Sequence, residues 1–242
     1  MSQRLLTEAR PIAQVSATVG LEIPAFAKNV VQRGDALALM RSLPDGCAAL
    51  GFFDPQYREL LARQRYGNEG VSRQSVRAQL PAMSADYINT VITEFGRVLR
   101  PSGYLMRWLD KYVLCEGRHL CVPPDVLKVV DLISTDIDRI GMGYRTRCRG
   151  DHLLIMQKPP TRARATWTDH GIPDRWIEKV DRKVHPHRKP IELIARLIAA
   201  TTEPGDLVVD PAAGSFCDPA PAPTCNPLVH LPSLVSVAKR AD

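Results

Sequence analysis

Two strings in this chain run an apolar, strand-like segment straight into a carboxylate and a proline. The first is Phe52-Phe53-Asp54-Pro55-Gln56-Tyr57. Open α/β sheets place their chemistry at the carboxyl ends of strands. Asp54 can accept a hydrogen bond from an amino group, Pro55 fixes the turn and brings no donor of its own, and Tyr57 offers a face on which a flat ring can stack. Together they could hold an exocyclic amine by both its hydrogens, with its ring clamped alongside. A bare structural turn is the competing reading of so short a string. The second string, Leu207-Val208-Val209-Asp210-Pro211-Ala212-Ala213-Gly214-Ser215, is a short buried strand followed by an acid, small residues and one glycine. That composition suits a loop that lets a nucleotide-like ligand approach the backbone.

The elements that must position these strings can be read from periodicity. Residues 1–27 show no clear pattern and read as an irregular lead-in. Asn29–Gln32 reads as a strand ending at Gly34-Asp35, followed by a short helix over 36–42 that Pro44-Asp45-Gly46 stops. Ala48–Phe53 is a continuous apolar run, the mark of a strand buried on both faces. Ser84 is placed to cap a helix over 84–99 with Tyr87, Ile88, Val91, Ile92, Phe95 and Leu99 on one face. Pro101-Ser102-Gly103 then turns into a strand at Tyr104–Leu109. Val126–Ser134 mixes helical and strand signals, Tyr144–Arg149 and His152–Gln157 read as a hairpin about Gly150-Asp151, Ile191–Thr201 reads as a helix, and 207–209 is the last clear strand.

The chain has 242 residues, enough to bury one sizeable core and consistent with one α/β domain. No apolar run approaches the roughly 18–20 residues that span a bilayer, and the N-terminus lacks a signal-peptide core. Six cysteines, at 47, 115, 121, 148, 217 and 225, form no CxxC or Cys/His pattern. They read as reduced thiols of a cytoplasmic protein without a metal site. Charge is distributed unevenly. From Arg139 to Lys189 there are 13 Lys and Arg against 5 Asp and Glu, a balance of +8, whereas the whole chain carries +6. Such a basic segment suits a phosphate-facing surface, a solvated face being the plainer alternative.

Taken in order, these strings resemble the S-adenosylmethionine-dependent DNA amino-methyltransferases that carry a D/N/S-P-P-Y/F/W catalytic motif. Further matches are Gly34-Asp35-Ala36-Leu37 before the catalytic strand, Arg97-Val98-Leu99-Arg100-Pro101-Ser102-Gly103 after it, and His187-Arg188-Lys189-Pro190 leading a helix into the second string. With the catalytic motif first and the cofactor loop last, the order resembles the permuted, β-type members, over roughly residues 28–216. The resemblance implies a Rossmann-like methyltransferase fold of the α/β class, a mixed, mostly parallel sheet with an antiparallel hairpin. It implies S-adenosyl-L-methionine as cofactor, double-stranded DNA as partner, and transfer to adenine N6 of a flipped base, with cytosine N4, or a truncated inactive remnant that only binds DNA, as the alternatives. Asp54 rather than serine at the first motif position favours adenine, and Gln56 departs from the usual proline.

By the same resemblance Asp54, Pro55 and Tyr57 are catalytic. Asp35, His187, Lys189, Pro190, Asp210, Pro211, Ala212, Gly214 and Ser215 contact the cofactor, although Asp35 could equally cap a helix and Lys189 be a solvated charge. The stretch 58–83, with Arg63, Arg65, Arg73 and Arg77 around Gly67 and Gly70, lies where the family closes over the target nucleotide. Residues 160–186 lie where it inserts a target-recognition segment. Arg65, Arg73, Arg162, Arg164 and Arg175 are the expected phosphate contacts, while Trp167 and Trp176 are a base contact or a small core. Residues 28–159 and 187–216 would then be two parts of one domain.

The ending departs from the pattern. After Phe216 the family has a helix and a strand ending in an acid that holds the ribose hydroxyls. Here prolines occupy 219, 221, 223, 227 and 232, and no carboxylate side chain occurs between Asp218 and Asp242. A proline costs about 3 kcal/mol inside a helix, so residues 217–242 read as an atypical tail, either divergent or replaced, leaving the sheet incomplete at its C-terminus.

Overall fold

The computed structural model describes residues 30–55, 83–117, 123–138, 140, 145–180, 188–212 and 233–238. The lead-in at 1–27, the arginine- and glycine-rich stretch at 58–82 and the proline-rich residues 217–232 lie outside them.

Among the described residues eight strands form one sheet: β1 (Val30–Arg33), β2 (Ala48–Phe53), β3 (Leu99–Leu109), β4 (Lys128–Asp136), β5 (His152–Gln157), β6 (Arg175–Ile177), β7 (Leu207–Asp210) and β8 (Ser233–Ala238). Their spatial order is β1-β8-β7-β2-β3-β5-β4-β6. Only β5 among them runs against the rest, antiparallel to both β3 and β4. Among the described residues four helices join the strands: α1 (Ala36–Ser42), α2 (Ala85–Val98), α3 (Lys111–Cys115) and α4 (Ile191–Thr201).

The continuous apolar run of β2 is buried at all six positions, as a central strand covered on both faces must be. The two covers differ. Leu39 and Met40 of α1 and Ile88, Val91, Ile92 and Phe95 of α2 meet Phe53, Leu105 and Leu109 on one face. Leu193, Ile194 and Leu197 of α4 meet Leu50, Phe52, Tyr104, Met106 and Trp108 on the other. Two glycines permit close approaches. A Cβ on Gly51 would stand 2.2 Å from the Phe95 ring, and one on Gly103 would stand 2.9 Å from the Arg100 carbonyl oxygen.

Helix ends are satisfied as the sequence suggests. Asp35 caps α1 by accepting from the Ala38 N–H, and Ser84 caps α2 by accepting from the Tyr87 N–H. Arg97 bridges the two helices, donating to the Met40 and Leu43 carbonyls and pairing with Asp45 and Glu94. Arg100 grips Asp206 with two hydrogen bonds and so anchors the entry to β7. Much of the 97–103 string therefore builds the scaffold.

Three expectations change. The mixed segment at 126–134 is a strand, β4, with an exposed edge along its first half. Residues 145–149 are exposed and not a strand, so β5 pairs instead with β3 and β4; Tyr144 lies outside the described residues. The sheet does not stop at β7 either. Ser233–Ala238 enters between β7 and β1, parallel to both, so that its backbone satisfies two parallel edges.

Candidate active site

Strand order reverses between β2 and β7: the chain continues from β2 to β3 on one side and from β7 to β8 on the other. Such a switch point opens a crevice beyond the carboxyl ends of the strands. The register Gly51↔Val209 places the end of β2, with Asp54 and Pro55, beside the end of β7, with Asp210, Pro211 and Ala212. The two strings singled out from sequence thus converge although some 150 residues separate them.

Lys189 is the hub of the crevice. Pro190 is the N-cap residue of α4, and Glu178, just past β6, accepts from the Glu192 and Leu193 N–H groups. With that helix end fixed, the preceding lysine reaches over the sheet end. Its Nζ lies 3.3 Å from Asp54 Oδ1, 3.0 Å from Asp151 Oδ2 and 4.8 Å from the centre of the Trp108 ring. The Lys189 side chain is only 14% exposed, against 37% for Asp54. Burial disfavours its ammonium, but the carboxylates of Asp54 and Asp151 more than offset that and hold its pKa above the ordinary lysine value.

Asp210 is also buried, and one of its oxygens accepts the Ala212 N–H at 3.0 Å. Burial pushes its pKa up to about 7, against the pull of the Ala212 N–H and with a further upward push from the charge of Asp54. A carboxyl that titrates about neutral pH, and that a nearby cation would ionise fully, is a fitting neighbour for a positively charged ligand. Asp35 stands at the end of β1, two strands from β7. Its oxygens already serve the Ala38 N–H and, at 2.6 Å, the Tyr87 hydroxyl. Burial and this bond push Tyr87 up to about 12. Asp35 therefore joins α1 to α2 as well as standing at a strand end.

The remaining candidates divide. Arg175 opens β6 on the outer edge of the sheet, opposite Ser134 and towards the crevice end. Arg162 and Arg164 lie at the other end. The Arg162 carbonyl accepts from Gln157 Nε2, and Gln157 pairs with Tyr104 in the first half of β3. Trp167 and Trp176 pack against the α4 face, Trp167 edge-on to Tyr104 at 5.6 Å, so they form the small core. Tyr57, Gln56, His187, Gly214, Ser215, Arg65 and Arg73 lie outside the described residues.

Asp151 and Trp108 were missed from sequence. Asp151 reads there as the corner of a hairpin, and only the level pairing of Leu109 with His152 brings it to the crevice. Among the described residues no cluster of side chains suits a metal ion, no helix is long and apolar enough to cross a membrane, and Cys47, Cys115 and Cys148 are free thiols.

Known proteins show the family and the fold. Residues 134–217 match a family model described as DNA methylase. The chain is 47% identical over 189 residues to the Type II methyltransferase M.HhaII of Haemophilus parahaemolyticus, covering 78% of this chain and 83% of the relative. Among solved structures, the cytosine-N4-specific PvuII DNA methyltransferase superposes with a TM-score of 0.59 at 15% identity, over 89% of this chain and 86% of that one. The M1.HpyAVI–SAM complex superposes with a TM-score of 0.58 at 12% identity, over 87% and 92%. These likenesses support the same Rossmann-like α/β methyltransferase fold. The chain belongs to the N6/N4 DNA methylase family.

Proposed function

We propose that this chain is a site-specific DNA methyltransferase that transfers the methyl group of S-adenosyl-L-methionine to N6 of an adenine turned out of double-stranded DNA. The observation that carries the reading is the meeting of Asp54-Pro55 and Asp210-Pro211 at the switch point. Family membership supports the DNA substrate and the cofactor, and Asp54 at the head of the motif favours adenine.

When bound, the cofactor supplies a methyl group on a sulfonium, open to in-line attack by a neutral amine. Asp210, Pro211 and Ala212 would hold its methionine end, with Lys189 and Pro190 closing the crevice above. An exocyclic amine is a poor nucleophile because its lone pair is delocalised into the ring. The Asp54 carboxylate and the Pro55 carbonyl accept its two N–H bonds, which draws the nitrogen towards sp³ and frees the lone pair. Positioning therefore supplies much of the acceleration. Asp54 is also the acceptor nearest the proton that the methylated nitrogen must shed. None of this is reachable inside a stacked duplex, so the base flips out, with Tyr57 as its stacking platform.

The test is transfer of tritiated methyl from S-adenosylmethionine to unmethylated DNA, followed by nucleoside analysis. N6-methyladenine is expected. N4-methylcytosine would overturn the choice of base, and absence of transfer would overturn the function.

A further inference from the structure

We propose that Asp151 is a positioning residue for methyl transfer, acting through Lys189 to fix the orientation of the Asp54 carboxylate; this rests on the function proposed above. Asp54 can hold an amine only if its carboxylate keeps one rotation about the Cβ–Cγ bond, and the ammonium 3.3 Å from its Oδ1 fixes that rotation. An ammonium on a flexible four-carbon stem holds a position only if it is itself held. Asp151 is its closer partner, at 3.0 Å, and the Trp108 ring floors the same position.

Asp151 is in turn locked to β4. The Thr135 N–H and hydroxyl both donate to its carbonyl, at 2.9 and 2.8 Å, and its own N–H donates back to the Thr135 hydroxyl oxygen at 3.3 Å. The lock needs glycine at position 150, where a Cβ would stand 1.7 Å from the Thr135 carbonyl oxygen. A chain of contacts thus runs from Gly150 and Thr135 to Asp151, then Lys189, then Asp54. Without the Asp151 carboxylate, Lys189 is left to pair with Asp54, so the ammonium and the carboxylate move together and the amine meets a misplaced acceptor.

The full chain tests this. Asp151→Asn should lower kcat on unmethylated duplex DNA by about 10- to 100-fold, while KM for S-adenosylmethionine and the Kd for DNA stay within about threefold. Asp151→Glu should recover most of the loss. Added to Asp54→Asn, which has already removed the carboxylate, Asp151→Asn should cost little more. A second measurement needs no turnover. NMR of isotope-labelled lysine should show a slowly exchanging Lys189 ammonium signal, assigned by its loss in Lys189→Arg, that disappears in Asp151→Asn and survives in Asp54→Asn.

An unaltered ammonium signal in Asp151→Asn overturns the proposal, as does a loss confined to KM for the cofactor. Full transfer by Asp151→Asn with an active natural chain overturns this role alone. Absence of transfer by the natural chain overturns the function and this role together.

Discussion

Asp54 and Asp210 are both aspartates just past apolar strand residues, yet their surroundings divide their work. Asp54 is partly exposed and faces an ammonium; Asp210 is buried and accepts a backbone N–H. Asp54→Ala deletes the proposed acceptor for the amine without touching a proposed phosphate contact. It should abolish methyl transfer and leave DNA affinity within a few-fold, and substantial residual turnover would remove Asp54 from the chemistry. Asp210 carries a different consequence. Burial raises its pKa from an ordinary 3.8 to about 7, so ionising it costs the folded state more than the unfolded one. The contribution to stability is whole below about pH 4 and is lost as pH rises through about 7. Asp210→Asn keeps an acceptor for the Ala212 N–H and never ionises. In the ligand-free chain it should gain on the natural protein across that window by at most ~4 kcal/mol, read as a difference in melting temperature that grows with pH. A constant difference would show that Asp210 is ionised throughout. Both aspartates were legible because each sits inside a contiguous strand–acid–proline string. Asp151 was not legible, since its contact with Lys189 spans 38 residues of sequence and depends on two strands pairing level.

At the scale of elements, β5 decides where Arg162 and Arg164 go. Running antiparallel to β3, it returns the chain to the end of the sheet away from the crevice. Arg162 hangs from Gln157 opposite Tyr104, while Asp54 follows Phe53, which pairs with Arg107. Four residues of strand put them roughly 13 Å apart along the sheet. Charge reversal at Arg162 and Arg164 should therefore leave the salt dependence of DNA binding nearly unchanged, since removing one arginine–phosphate pair would lower its slope by about one. A slope lower by about two would place DNA at that end. Composition could register the positive balance but not its direction, because an antiparallel return leaves no trace in charge. The strand pattern of β4 was equally obscure: only its second half is well buried, so alternation is diluted. The apolar run of β2, by contrast, was plain. Gly51 in its middle leaves room for the Phe95 ring of α2. Gly51→Ala would drive a methyl group into the Phe95 ring and should cost about 1–3 kcal/mol of stability, measurable by denaturant unfolding. No change in stability would mean that α2 can shift outward.

For the whole molecule, the order of strands in space differs from their order in sequence, and β8 closes the gap between β7 and β1. Sequence reading found both strings of the crevice because they are local; it missed β8 because six residues after a run of prolines carry too short a pattern to stand out. The presence of β8 completes that part of the sheet but does not supply the acid that the family pattern places after this strand. The residues following Ala238 are Lys239 and Arg240. A charge-assisted hydrogen bond to the ribose hydroxyls is worth about 1.5–3 kcal/mol, or one to two decades of affinity at about 1.4 kcal/mol per decade. The chain should therefore bind S-adenosylmethionine weakly and turn over only at high cofactor concentration. Lys239→Glu returns a carboxylate to the end of β8 and should tighten binding by about one to two decades on the same reckoning. Calorimetry on the two proteins decides between the cases: tight binding by the natural chain, or no gain from the glutamate, would mean that another group already holds the ribose.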